Sequence, residues 1–323
     1  MKPFILLRPA TLSEAAREAA RPATALKAGG VDLIDRMKEG IDSPQRVVSI
    51  AHVPGYDGIE AGPPASLGAL ATLARIASHR DVKRHYPALA DAADGAATPQ
   101  IRNMATLGGN ICQRPRCWYY RLSEFDCRKK GGATCFAQDG ENRFHAIFDS
   151  DLFCCCIHPS ATAVALLAYG AKLETVSPRG KRSIAMDDFF VRPTEDALRE
   201  NVLAPGEIIQ TIRIPAPAEG SRSVYRKLKE KESFDWPLVE ACVNLAVSGG
   251  QVRQARVVLG SVAPTPWRAK EAEAVLTGAR IGPELAARAA AASVAGAKPL
   301  GQNAYKVRLA RVMVERALAE VLA

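Results

Sequence analysis

Cysteine is the residue type whose placement in this chain most directly implies chemistry. Seven of the eight cysteines lie within residues 112–156, the cysteine segment, and the eighth, Cys242, stands alone. Thiolates bind zinc and iron–sulfur clusters, whereas disulfide scaffolds are typical of short secreted chains. This clustering favours a metal centre, with disulfides and unrelated buried thiols as alternatives. The seven are Cys112, Cys117, Cys127, Cys135, Cys154, Cys155 and Cys156.

The spacing of these cysteines does not distinguish the two metals. It matches no ferredoxin motif, and four thiolates in a loop could bind either zinc or iron. Their surroundings favour iron–sulfur, because residues 113–130 hold six basic side chains against two acidic ones, and cations offset the negative charge of a thiolate-bound cluster. Trp118, Tyr119 and Phe125 would exclude water. A solvated loop face is the alternative explanation of the basic residues.

Two Gly-Gly pairs indicate a second kind of chemistry. Ala23–Ala28 is predicted as a strand, Gly29-Gly30 as a turn, and Asp32 as the cap of a helix over Leu33–Lys38. Such a turn binds anions, because glycine lets the backbone approach the ligand and the free N–H groups of the helix point at its charge. The second pair, Gly108-Gly109, has polar neighbours. Two pairs suit a ligand with two phosphates; an ordinary left-handed turn is the alternative for each.

The elements that must position these residues follow from hydrophobic periodicity and helix-capping signals. Thr11 begins a predicted helix that runs to Ala20, and a short strand follows at Arg46–Ile50. Further helices are predicted over Leu67–Ser78, with Ser66 as the cap, over Asp81–Ala93, and over the apolar stretch Thr162–Tyr169.

From Ser221 onward the pattern changes to a small α+β unit, after a Pro-rich linker at residues 215–220. Gly249-Gly250 is predicted as a hairpin turn between two strands. The strands are Tyr225–Lys229, Leu238–Ser248 and Val252–Ser261, and the helices are Arg268–Leu276, Pro283–Ala295 and Asn303–Leu322.

Composition excludes several classes of protein. The length of 323 residues predicts about two domains, and the 48% of hydrophobic residues is typical of a folded chain. The net charge of +9 comes without a basic stripe interleaved with aromatics, so nucleic-acid binding is not expected. Residues 161–171, the longest apolar stretch, are too short to span a bilayer, and no signal peptide is predicted. No nucleophile motif is present.

The two glycine loops resemble those of a known family. Lys27-Ala-Gly-Gly-Val-Asp-Leu33 and Arg102-Asn-Met-Ala-Thr-Leu-Gly-Gly-Asn110 are similar to the flavin-binding loops of the FAD-binding subunit of molybdenum hydroxylases, the xanthine dehydrogenase and CO dehydrogenase group. Tyr225–Leu228 and Phe234–Trp236 extend the resemblance to essentially the whole chain. The cysteine segment resembles that of the minority of these subunits that carry an extra [4Fe–4S] cluster, the periplasmic aldehyde oxidoreductase and 4-hydroxybenzoyl-CoA reductase types.

The resemblance implies an α+β fold in two domains. Residues 1–217 would form a two-part FAD-binding domain of the PCMH/vanillyl-alcohol-oxidase-like type. Its N-terminal subdomain would cover residues 1–60, and its second subdomain residues 61–217, including the cysteine segment. Residues 221–323 would form an α+β domain like the C-terminal domain of CO dehydrogenase flavoproteins.

The resemblance also implies a role in electron transfer. A large partner subunit would hold the molybdenum cofactor, and a small partner with [2Fe–2S] clusters would pass electrons to FAD on this chain and on to an external acceptor. The expected enzyme is a heterotrimeric aldehyde oxidoreductase-like oxidoreductase. The alternative within the family is a reductive enzyme of the hydroxybenzoyl-CoA reductase type. Outside the family, the alternative is a zinc-stabilised, non-catalytic binding protein.

The family's cofactor residues can be transferred position by position. The cluster ligands would be Cys117, Cys127, Cys135 and Cys154; Cys154 is preferred over Cys155 and Cys156 because it precedes His158 by four residues, as in the aldehyde type. Cys112 is expected to be a buried thiol, and Ala161 stands where the family usually has Asp. The implied FAD-binding residues are Lys27, Ala28, Gly29, Gly30, Val31, Asp32, Leu33, Thr106, Gly108, Gly109, Asn110 and Asp235.

The sequence does not determine the cellular compartment of the protein. The expectation is a cytoplasmic protein, or a periplasmic one if a partner subunit that bears a signal carries it across the membrane in folded form. The substrate would be set by the large subunit.

Overall fold

The computed structural model describes residues 1–150, 153–231 and 233–323. Residues 151 and 152, which belong to the cysteine segment, lie outside the described residues. Three sheets organise the described residues: a three-stranded sheet near the N-terminus, a five-stranded sheet and a four-stranded C-terminal sheet. In the part of the chain that the structure describes, no helix combines the length and apolar character that a membrane crossing requires.

The N-terminal sheet is parallel, with the strand order β1-β3-β2. As predicted, Thr11 caps the first helix, because its Oγ1 accepts a hydrogen bond from the Glu14 N–H. The predicted cap Asp32 is wrong: Gly30, with a φ of +82°, is the N-cap of the second helix, and Asp32 lies in its first turn. The elements are β1 (Ile5–Leu7), α1 (Leu12–Ala19), β2 (Thr24–Lys27), α2 (Val31–Lys38) and β3 (Arg46–Ser49).

The five-stranded sheet is antiparallel, with the order β4-β5-β8-β6-β7. Its strands are β4 (Ile59–Glu60), β5 (Ala65–Gly68), β6 (Lys172–Ser177), β7 (Gly180–Ala185) and β8 (Ile208–Ile214). The helices that join or cover it are α3 (Leu73–Ser78), α4 (Arg80–His85), α5 (Pro87–Asp94), α6 (Pro99–Met104), α7 (Leu107–Ile111), α8 (Trp118–Arg121) and α9 (Ala161–Ala168).

Two predicted helices in this region are wrong in part. The helix predicted from Leu67 begins only at Leu73, because Leu67 is buried in β5 and pairs with Ile212 of β8. The helix predicted over 81–93 is broken into α4 and α5 at Tyr86, since the residue before a proline is disfavoured in the helical region.

The apolar helix α9 packs between its own domain and the C-terminal sheet, and its prediction is confirmed. All eight of its residues are buried, as expected for a helix that is apolar on every face. It contacts α5 in its own domain and two strands of the C-terminal sheet. Asn244 donates to the Ala168 carbonyl at 3.1 Å, and Arg256 donates to the Leu167 carbonyl at 2.9 Å. The C-terminal domain thus supplies hydrogen-bond donors to the carbonyl groups at the end of α9.

The C-terminal sheet is antiparallel, with the order β12-β11-β10-β9. Gly249 and Gly250 have φ values of +59° and +72°, which confirms the predicted hairpin turn, since a two-residue hairpin of this type needs positive φ at both positions. The elements are β9 (Ser221–Leu228), β10 (Val239–Ser248), β11 (Gln251–Gly260), β12 (Trp267–Arg268), α10 (Lys270–Leu276), α11 (Leu285–Ala292) and α12 (Tyr305–Leu322).

Candidate cofactor sites

A cleft of about 490 Å³ lies where both Gly-Gly loops, the start of α9 and the segment between β9 and β10 meet. This volume is within the range of about 300–1,000 Å³ that is typical of ligand and cofactor sites. Lys27, Thr106, Ala161 and Asp235 each contribute to its lining from a different part of the chain. The cleft is therefore built by tertiary packing rather than by one motif.

The first Gly-Gly loop touches the second one through its backbone. A Cβ atom added to Gly29 would lie 1.9 Å from the Met104 carbonyl oxygen, so only glycine fits there. Gly30 follows with positive φ and begins α2 without a side-chain cap. The first amides of α2 consequently have no side-chain partner at the cap, which is the condition for binding an anion at a helix start.

The second loop is fixed by Thr106, whose Oγ1 accepts from the Gly109 N–H at 3.2 Å. Gly108 packs against Ala69, with an added Cβ only 3.0 Å from the Ala69 side chain, and it does not line the cleft. The Oδ1 atom of Asn110 accepts from the hydroxyl of Ser160 at 2.6 Å. This bond ties the loop to the start of α9, because Ser160 is the N-cap of that helix.

The structure thus brings all of residues 27–33, together with Thr106, Gly109, Asn110 and Asp235, to one cleft. Of the predicted FAD-binding residues, Gly108 alone has no place in its lining. Further residues line the cleft to which the sequence assigned no site role, although Lys227 and Trp236 lie in segments of the family resemblance. They are Ala97, Thr98, Arg116, Lys227, Trp236 and Glu240.

Glu240 is fully buried in β10 and lines the cleft from the C-terminal domain. Its carboxylate accepts hydrogen bonds from the hydroxyls of Tyr225 and Ser261, the latter at 2.9 Å. Burial raises the pKa of the Glu240 carboxyl above its usual value despite these bonds. A buried acid with two hydroxyl donors fixes this wall of the cleft.

Asp32 joins the cleft to the cysteine segment. Its carboxylate contacts Arg36 at 3.1 Å, Arg116 at 3.0 Å and Arg121 at 2.6 Å, and it accepts from the Arg114 backbone N–H at 3.1 Å. Burial would raise the pKa of the Asp32 carboxyl, but the three guanidinium groups outweigh burial and lower it. The side chain predicted to contact FAD is therefore engaged mainly by arginines.

Five thiols converge on a second, much smaller cavity of about 10 Å³. The four predicted cluster ligands all line it, and Cys156 is the fifth. Cys155 does not line it, although its sulfur lies 3.7 Å from that of Cys135. Among the described residues, no three His, Cys, Asp or Glu side chains are grouped closely enough to hold a metal ion. A cluster would therefore bind here only after these side chains have moved.

The other cysteines lie apart from this cavity. Cys112, predicted to be a buried thiol, is half-buried and lines the 490 Å³ cleft, and Cys242 is buried in the main hydrophobic core. Tyr119, Phe136 and His145 also line the cysteine cavity. Burial lowers the pKa of His145 to about 4. Aromatic rings therefore shield the thiols, as the sequence predicted for Tyr119.

Comparisons with known protein families identify the family to which this chain belongs. The FAD binding domain in molybdopterin dehydrogenase matches residues 2–217, and the CO dehydrogenase flavoprotein C-terminal domain matches residues 223–321. The chain belongs to this family. It is an FAD-binding subunit of the molybdenum hydroxylases, and the oxidoreductase class and α+β fold predicted from the sequence are confirmed.

The similarity of this FAD-binding subunit to its relatives extends over nearly its whole length. It is 36% identical to the aldehyde oxidoreductase FAD-binding subunit PaoB of Escherichia coli (strain K12), covering 100% of this chain and 98% of that one. It is 30% identical to the carbon monoxide dehydrogenase medium chain of Hydrogenophaga pseudoflava, covering 91% and 87%. A solved carbon monoxide dehydrogenase of H. pseudoflava superimposes with a TM-score of 0.77 at 29% identity, covering 99% and 98%.

The contact of Gly29 with Met104 gives a test of the cleft. We expect Gly29→Ala to force the two loops apart at a cost of about 1–3 kcal/mol, and FAD to bind about tenfold more weakly or worse. Flavin fluorescence titration of the apoprotein measures this affinity. Gly62→Ala is the matched control, because nothing lies within 4 Å of a Cβ there. Equal affinities in the two variants would contradict a flavin site at this contact.

The contacts of Asp32 with the three arginines can be tested by measuring the stability of a variant. At pH 7 we expect Asp32→Asn to lower the free energy of unfolding by about 2 kcal/mol, because it removes the carboxylate that three guanidinium groups share. These arginines keep only their other acidic partners, Asp42, Asp35 and Glu39. The lowered pKa of Asp32 means that this stabilisation is complete above its usual value of 3.8 and is lost as the pH falls through the folded-state pKa.

Urea unfolding of both proteins at a series of pH values measures the difference. The control is Asp57→Asn, which removes a pair with Arg75 whose side chains are 60% and 50% exposed; we expect a change below about 1 kcal/mol there. A gap between wild type and Asp32→Asn that stays constant down to pH 2 would show that the charge of Asp32 is not the cause.

Proposed function

We propose that this chain is the electron-transfer flavoprotein subunit of a heterotrimeric, molybdenum-dependent aldehyde oxidoreductase-like enzyme. In this proposal, a small partner with [2Fe–2S] clusters delivers electrons to FAD on this chain, and an external acceptor takes them up. The large partner holds the molybdenum cofactor and oxidises the substrate. The chain also carries a [4Fe–4S] cluster on Cys117, Cys127, Cys135 and Cys154.

The observation that supports this proposal best is the adjacency of the two cofactor regions. Arg116 lines the cleft, and the next residue, Cys117, lines the cysteine cavity. The Arg116 guanidinium also lies over the ring of Trp236, 5.1 Å from its centroid, at the mouth of the cleft. A flavin and a cluster bound at these sites would be neighbours, which electron exchange between them requires.

The residues present fit FAD. The uncapped start of α2 and the tight contact of the two glycine loops suit a pyrophosphate, and we assign that group to residues 27–33, Thr106, Gly109 and Asn110. Asp235 and Trp236 also line the cleft, and we assign Asp235 to the neighbourhood of the isoalloxazine. When bound, FAD supplies the redox chemistry, and the protein binds, orients and shields it.

The residues around the cysteine cavity fit an iron–sulfur cluster by their chemistry. Thiolates are its usual ligands, and the buried Lys129 amine beside the cavity pairs with Glu200 at 2.9 Å. Closeness to the aldehyde oxidoreductase relative, which is more similar to this chain than the carbon monoxide dehydrogenase one, favours the oxidative enzyme over the reductive alternative.

An anaerobic visible spectrum of the full chain, before and after dithionite, tests the proposal when iron and zinc are quantified on the same sample. We expect a flavin band that bleaches over a broad iron–sulfur background, with about four iron atoms per chain. A protein with bound flavin and zinc but no iron would overturn the cluster assignment. A colourless protein with zinc alone would also overturn the electron-transfer role.

Single cysteine substitutions test the ligand set. We expect Cys117→Ser and Cys154→Ser to lose the cluster iron, because each removes a thiolate ligand, while Cys155→Ser keeps it. Cys155 is the matched control, since it is a buried neighbour of Cys154 outside the cavity lining. Iron loss in Cys156→Ser combined with full iron in Cys154→Ser would move the fourth ligand to Cys156.

A further inference from the structure

His145 makes a polar contact with a thiol of the cysteine cavity. Its Nε2 atom lies 3.2 Å from the Cys117 sulfur, and the residue is 3% exposed. The other ring nitrogen, Nδ1, has no hydrogen-bond partner in the described part of the chain. We assign the ring proton to Nε2, where a sulfur can accept it, because a buried N–H without an acceptor is costly.

Several contacts hold the imidazole in this position. The ring packs edge-on against Trp118, with 5.1 Å between centroids. The backbone carbonyl of His145 accepts from Asn303 Nδ2 at 3.2 Å and from Lys306 Nζ at 3.0 Å. Both donors lie at the start of α12 and are fully buried. The C-terminal domain therefore fixes the backbone from which the ring reaches Cys117.

The same lysine shows how firmly this backbone is held. Lys306 Nζ also donates to the carbonyls of Phe144 at 3.1 Å and Ser261 at 2.6 Å. All three protons of the ammonium group are thus directed at backbone oxygens, two of them in the cysteine segment. Such outer contacts orient a ligand and tune its metal centre in other metalloproteins.

We infer that His145 is a positioning residue for the cluster: it donates its Nε2–H to the Cys117 thiolate and raises the reduction potential of the [4Fe–4S] group. This inference rests on the proposed function. One-electron reduction adds a negative charge that is spread over the cluster and its sulfur ligands. An N–H dipole aimed at one sulfur stabilises that charge, and hydrogen bonds to cluster sulfurs are a known determinant of potential.

Three variants of the full chain, purified anaerobically, test the inference. His145→Phe keeps a ring against Trp118 but removes the donor, and His145→Gln places an amide N–H near the position of Nε2. Phe144→Leu is the matched control, because Phe144 contacts the same tryptophan edge-on at 5.9 Å and makes no bond to a thiol. The readouts are iron per chain and the midpoint potential of the cluster, from a redox titration followed by electron paramagnetic resonance.

We expect His145→Phe to keep its iron and to show a more negative midpoint potential than the wild type. His145→Gln should recover at least part of that shift, and Phe144→Leu should leave the potential unchanged. Iron loss in both His145 variants, with iron retained in Phe144→Leu, would overturn the inference by making His145 a ligand or a folding residue. Midpoint potentials that stay at the wild-type value in both His145 variants would also overturn the inference. A wild-type chain without iron would instead contradict the proposed function itself.

Discussion

The half-buried carboxylate of Asp32 makes the contacts on which the arrangement of both cofactor regions depends. It sits in the first turn of α2, directly after the Gly29-Gly30 loop, and contacts three guanidinium groups and one backbone N–H. Two of those arginines belong to a segment with little regular structure: Arg116 directly precedes Cys117, and Arg121 is the last residue of α8. A buried charge is tolerated only when it is well paired. The network therefore links the wall of the cleft to the first thiol of the cavity.

The C-terminal domain holds the opposite side of the cysteine segment. Asn142 and Gln302 exchange two hydrogen bonds, each from a backbone N–H to the other side chain, at 3.1 and 3.0 Å. Lys306 and Asn303 secure the next residues along the chain. The segment is thus anchored at both ends by polar contacts rather than by its own helices and strands, which explains how a stretch with so little periodicity can present several thiols to one cavity.

Local patterns predicted the features whose causes are local. The Gly249-Gly250 hairpin, the Thr11 cap, the apolar helix α9 and the two glycine loops could all be derived from neighbouring residues. Leu67 was predicted helical because its pairing with Ile212 is distant in sequence. Glu240 gave no usable signal, since an acid in a strand resembles a surface residue. The contact of His145 was missed because its partner lies 28 residues earlier in the chain. The role of Asp32 was missed because its arginines converge only in the folded chain.

The burial of α9 has a consequence for synthesis on the ribosome. Val164 and its neighbours belong to the same hydrophobic core as Cys242 and Val258 of the C-terminal sheet, so the helix is covered only after those strands have been made. Until then one side of an entirely apolar helix faces water, a surface of the kind that leads to aggregation during folding. The two halves of this chain are consequently one cooperative unit, and a break at the residue 215–220 linker would leave the first half with an uncovered helix rather than a separate domain.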